Sequence, residues 1–203
     1  MSDEVWLLVD GERRDVAAFV GSLSADDWES DTLCTGWRVR DVVGHLVWVS
    51  RATLPSILPG LLRARFDIDR AIDRFAIEQG RRPTDELQRA ISALVGERRL
   101  PPSTPPSGVL VDTIVHHQDM RRALGRPREV PKDRLAVALP ASARKAGVHI
   151  RGLELQANDM AWSHGTGPVV TGTGEQLLMC MEGRMVVAAE VGGPGKAALA
   201  GRI

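Results

Sequence analysis

The stretch VLVDTIVHHQDMRRAL, residues 109–124, decides how this chain folds and where its chemistry lies. Before it stands LPPSTPPSG (100–108), a proline-rich connector expected to run as an extended loop, because proline removes amide donors and resists helical neighbours. After it come Gly125, suited to the left-handed residue that ends helices, and Pro127. Arg121 and Arg122 fall in the last turns, where a helix C-terminus favours positive charge. A helix over 108–124 follows. At about 100° per residue, His116, Asp119 and Ala123 lie within about 40° of Asp112, flanked by Val115 and Met120. His117 points about 140° away and is expected at the surface. A plain bundle helix would carry Leu or Val where this one carries two carboxylates and an imidazole.

The same rotation applied to RVRDVVGHLVWVSRATL, read as a helix from Arg38, brings Arg38, Val49 and Ala52 within about 40° of His45. His45 therefore also occupies an inward, mostly apolar face. Burying an unpaired polar group costs about 2–7 kcal/mol, so these groups are cheapest when they meet one another or a cation. A carboxylate and a His at i and i+4, completed by a His from a neighbouring helix, make a three-ligand metal site with a fourth position open. A hydrogen-bonded His–Asp pair without metal uses the same spacing. Trp37 and Trp48 read as packing, and His149 and His164 as turn residues.

Around these two helices, residues 3–22 read as an amphipathic helix and 24–37 as a polar loop. Residues 61–80 read as a further helix beyond Pro55 and Pro59, and Pro83 and Thr84 open another. Past residue 128 the pattern changes. A helix over about 132–147 precedes short alternating segments, RGLELQAND and MAWSHGTGPVVTGTG, which read as strands joined by turns. GEQLLMCMEGR reads as a helix, and the glycine-rich tail has no clear pattern. The expected organisation is a helical domain over 1–127 and a small α/β domain over 128–203.

The chain has 203 residues, 43% of them hydrophobic, enough for a substantial core. Its 26 basic and 26 acidic residues cancel, and no long run of one sign suggests a nucleic-acid or membrane partner. Cys34 and Cys180 have no metal or redox spacing and read as reduced thiols. The acidic N-terminal stretch lacks a long apolar run, and no transmembrane segment is expected anywhere, so the expected compartment is the cytosol.

Two motifs carry a family resemblance. CTGWRVRDVVGHLVWV (34–49) and DTIVHHQDMRRALGRP (112–127) resemble the mycothiol-dependent maleylpyruvate isomerase family, within the wider DinB/YfiT-like superfamily. AWSHGTGPVVTGTGEQLLMCMEGR (161–184) is similar to that family's C-terminal domain. The resemblance implies a mostly α fold with a smaller α/β part: a DinB-like four-helix bundle followed by a small α/β domain. It implies a divalent metal, usually zinc, held by His45, Asp112 and His116, with Asp112 replacing the family's Glu. Asp119 matches an acidic position beside the metal and is expected to orient His116 or accept a proton. Arg38 replaces the usual Ser or Thr at the helix start and is a candidate contact for a substrate carboxylate. Arg122 is a candidate anion contact.

The implied activity is metal-dependent isomerisation or S-transfer on a small electrophilic substrate, using a low-molecular-weight thiol of the mycothiol type. A second copy of the chain is a further candidate partner. The alternatives are a non-catalytic metal- or ligand-binding protein and a helical protein whose buried polar trio sets register.

Overall fold

The computed structural model describes residues 2–100 and 103–202, in which helices dominate and strands are confined to the last quarter of the chain. Two units are distinguished, Met1–Arg128 and Glu129–Ile203. The first contains α1 (Ser2–Gly21), α2 (Ala25–Glu29), α3 (Val39–Val49), α4 (Leu54–Arg63), α5 (Ile68–Gly80), α6 (Thr84–Ser92) and α7 (Pro106–Ala123). α1 packs on α6 and α7, and α3 packs on the same two helices, so these four close a ring around one core. Val16, Phe19 and Val20 of α1 meet Val42, Val43 and Leu46 of α3, Leu87 and Ile91 of α6 and Met120 of α7 there. Each such side chain, fully buried, contributes about 1.5–3 kcal/mol.

α5 packs against α3 from outside the ring, and two glycines permit the close approach. A Cβ on Gly44 would lie 2.7 Å from the Gly80 nitrogen and 3.0 Å from the Ala76 oxygen.

Several boundaries differ from the sequence expectation, each for a local reason. The polar loop over 24–37 contains α2, started by a capping box in which Ser24 and Asp27 satisfy each other's backbone amides. The helix from Arg38 stops at Val49, and Pro55 and Pro59 fall inside a separate helix, α4; Pro55 is tolerated in its first turn. The helix expected over 61–80 is broken where Arg65 and Phe66 adopt φ of 57° and 65°, closing α4 with a left-handed cap. α7 begins at Pro106, inside the expected connector, because proline suits a first helical turn. Residues 101–102 of that connector lie outside the described residues.

The second unit contains α8 (Lys132–Ala143), α9 (Gly147–Ile150), β1 (Glu154–Ala157), β2 (Ser163–Gly165), β3 (Val169–Gly172), α10 (Gly174–Met181) and α11 (Lys196–Ala200). The sheet order is β2-β1-β3, with β1 antiparallel to β2 and parallel to β3. α10 packs on α8, β1 and β3, burying Leu135, Leu139, Leu155, Val170, Leu177 and Leu178. The tail left unassigned by sequence forms a 3-10 helix at Met185–Ala189 and α11. No described helix is long and apolar enough to cross a membrane.

Candidate metal centre

α7 is buried on nearly every side: Val109–Val111 and Thr113–Met120 all lack significant exposure. Its His116 and Asp112 meet His45 of α3. His45 Nε2 lies 3.5 Å from Asp112 Oδ1, and His116 Nε2 lies 3.6 Å from the same oxygen. The two imidazole rings stand 4.7 Å apart at 66°. Direct hydrogen bonds are shorter, about 2.7–3.2 Å. Donors around a tetrahedral zinc, each at about 2.0–2.2 Å, stand about 3.3–3.5 Å apart. The spacing of this trio therefore fits a shared cation better than direct contact, and the two imidazoles and one carboxylate are the donor types that zinc takes. Both histidines are buried, whereas the Asp112 side chain is 33% exposed and opens the site to solvent.

Asp119, fully buried, stands behind His116. Its Oδ2 accepts from His116 Nδ1 at 3.0 Å, so the ring presents Nε2 to the other donors. Burial opposes a charged His116, but the hydrogen bond to Asp119 and the Cys34 and Asp112 contacts outweigh it, and its pKa is pushed up to about 10.

The other expected site residues divide. Arg38 caps the start of α3 with its guanidinium paired to Asp41 and Glu29, at 3.1 and 2.7 Å, so it is already engaged by carboxylates. Its backbone amide donates to Asp41 Oδ2, and its side chain makes no cap hydrogen bond. Arg122 is half-buried in the last turn of α7.

His117 is corrected. It is fully buried: its Nδ1 donates to Glu12 at 2.8 Å, and its Nε2 accepts from Arg121 at 2.8 Å. Burial lowers its pKa. Burial works against an ionised Glu12, but the His117 hydrogen bond and the Arg128 charge prevail and hold its carboxyl down at about 2. The helical wheel failed at His117 because α7 has no outward face at that level; α1 covers it.

Three residues join the site without having been singled out for it. Cys34, a free half-buried thiol, donates to Asp119 Oδ2 at 3.0 Å and lies 3.6 Å from His116 Nδ1. Trp37 stacks on His116 at 5.8 Å and 22°, contacts the His45 ring at 5.1 Å, and donates from Nε1 to Asp73. The turn between them explains the CTGW spelling: Trp37 N–H donates to the Cys34 carbonyl, and Gly36 adopts φ of 80°, as the third position of a type II turn requires. Arg13 of α1 is buried, donating to the Leu94 and Glu97 carbonyls and to Ser50. Burial depresses its pKa, and Asp112 is among the carboxylates that oppose this, so a fixed positive charge stands within electrostatic reach of the trio. The only sequence sign for Arg13 is its place among apolar positions of α1.

Residues 9–121 match the family model of the mycothiol maleylpyruvate isomerase N-terminal domain. Uncharacterized proteins of two Mycobacterium tuberculosis strains are each 28% identical over 138 residues, covering 56% of this chain and 54% of theirs. The match thus spans about half the length of those curated relatives. In fold the chain is similar to a crystal structure of the mycothiol-dependent maleylpyruvate isomerase, with TM-score 0.59 and 12% identity over 91% of this chain and 90% of that one. A histidine-to-alanine variant of that enzyme gives TM-score 0.58 and 11% identity over the same shares.

Proposed function

The chain belongs to the family of the mycothiol maleylpyruvate isomerase N-terminal domain, and from that premise we propose that it is a metal-dependent enzyme using a low-molecular-weight thiol of the mycothiol type. Isomerisation of a small electrophilic alkene, maleylpyruvate being the model substrate, is the reading favoured by the family; S-transfer uses the same first step. The observation that carries the proposal is the convergence of His45 Nε2, His116 Nε2 and Asp112 Oδ1 at 3.5 and 3.6 Å, spacings suited to a bound cation.

His45, Asp112 and His116 would hold the metal. When bound, it supplies a Lewis acid that favours the thiolate form of a coordinated thiol, a nucleophile able to add to a cis alkene and leave after rotation. The chain's own residues do the rest. Asp119 holds the His116 ring with Nε2 forward. Trp37 packs on both imidazoles and keeps water from that side of the rings. Asp112, partly exposed, lies on the side from which small molecules enter. Arg38 and Arg122 are the candidates for an anionic group of thiol or substrate, the Arg38 guanidinium being already paired with Asp41 and Glu29.

The test is metal content and turnover together. Wild-type protein is expected to retain zinc through gel filtration and to convert maleylpyruvate only with zinc and mycothiol present. His45→Ala protein is expected to lose both properties while remaining folded. Equal zinc content in His45→Ala would overturn the ligand assignment. Metal binding without thiol-dependent turnover would overturn the enzyme reading in favour of a ligand-binding protein.

A further inference from the structure

The Asp31–Trp37 loop touches α7 at one place by three different kinds of contact. The Leu33 amide donates to the Asp119 carbonyl at 3.3 Å. The Cys34 thiol donates to Asp119 Oδ2 at 3.0 Å. The Trp37 ring stacks on His116. The loop is itself braced: Thr32 bonds the Trp37 carbonyl through both its amide and its hydroxyl, and the Val39 amide bonds Ser30. Cys34 thus reaches Asp119 from a rigid support rather than from a free strand.

Asp119 Oδ2 receives two donors, the thiol of Cys34 and Nδ1 of His116. A carboxylate in a buried site can rotate about its last torsion, and a donor on the same helix as the carboxylate can move with it. A second donor from a different element fixes the oxygen in space, and the oxygen then fixes the ring. We propose that Cys34 is a positioning residue for His116, acting through Asp119, and that its hydrogen-bond donation rather than its bulk is what the site requires. The functional part of this inference rests on the metal-dependent reading above; the geometric part does not.

Bulk and donation predict opposite orders for two substitutions. If the thiol only fills space, Cys34→Ala is the milder change and Cys34→Ser, which places a hydroxyl in a partly buried apolar setting, the harsher. If it donates, Cys34→Ser retains the proton and Cys34→Ala removes one donor from a fully buried carboxylate. The experiment compares the three proteins by the downfield Nδ1–H resonance of His116 in metal-free protein, by zinc affinity against a chelating indicator, and by thermal melting as a check on folding. The expected result is a shifted or exchange-broadened His116 resonance and about tenfold weaker zinc binding in Cys34→Ala, with Cys34→Ser close to wild type in both. Cys34→Ala indistinguishable from wild type, or a folded Cys34→Ser as impaired as Cys34→Ala, would overturn the proposal. Loss of the resonance in Cys34→Ala with zinc bound by none of the three would support the positioning role and sink the metal-dependent reading instead.

Discussion

Asp119→Asn keeps the size of the side chain and removes its charge, and the two consequences for metal binding run in opposite directions. In the free protein the His116 pKa is about 10. A cation binding at neutral pH must therefore displace a proton held about 3 pKa units above the medium, a competition costing about 4 kcal/mol. The group is charged below its raised pKa, so this competition is strongest at low pH and vanishes as pH passes the pKa. Losing the Asp119 carboxylate lowers the His116 pKa and relieves the competition. It also makes the imidazole a poorer donor and frees its orientation, which in comparable sites costs about 10–100-fold in affinity, or about 1.4–2.7 kcal/mol. Near neutrality the relief, up to about 4 kcal/mol, offsets or outweighs the loss; once His116 is deprotonated in both proteins only the loss remains. The expected signature is a deficit of Asp119→Asn relative to wild type that is absent or reversed near neutrality and grows with pH to about 10–100-fold. Wild-type affinity should rise by up to about tenfold per pH unit below the His116 pKa, and the variant's should flatten earlier. The assay is competition for zinc against a chromophoric chelator at buffered free zinc, across about pH 7 to about pH 10, with melting curves at each pH. A deficit independent of pH, or equal affinities at the top of the range, would refute the assigned link between Asp119 and His116.

Two further perturbations test the frame around the site. Glu12→Gln leaves Arg128, and Arg121 beside it, without their buried counter-charge and should lower unfolding free energy by about 3–5 kcal/mol at neutral pH, read by urea denaturation. Because the Glu12 pKa is depressed from 4.5 to about 2, its stabilisation is complete above the higher value and fades as pH falls toward the lower. The variant should therefore lose part of the acid sensitivity; an unchanged acid profile would contradict the assignment. Gly44→Ala would press a methyl to 2.7 Å from the Gly80 nitrogen, and a loss of about 1–3 kcal/mol in the same denaturation assay is expected; a neutral result would mean that α3 and α5 separate freely.

Helical phase was enough to put His45, Asp112, His116 and Asp119 on faces that turn inward, and the structure brings these four side chains together. Phase is a local property, set by rotation per residue, so it survives translation from sequence to structure wherever a helix forms. Helix ends were less legible. The break at Arg65 and Phe66 depends on left-handed backbone at residues that rarely adopt it, and no glycine announces it. α2 is one short turn, held by its capping box and by burial of Trp28 rather than by periodicity.

What lay beyond the sequence is whatever needed a second element to define it. His117 reads as exposed on an isolated helix and is buried with Glu12, because α1 closes over that side of α7. Cys34 stands 85 residues from Asp119, and Arg13 reaches the carbonyls of Leu94 and Glu97, beyond the end of α6. Such pairings depend on which helices are neighbours, a consequence of the summed packing of many apolar side chains rather than of any one motif. The sequence by itself therefore determined which candidate ligands turn inward, because their periodicity is written along two helices. Only the tertiary structure decided what stands behind them, because the groups that aim a ligand come from wherever the packed core happens to bring the chain past it.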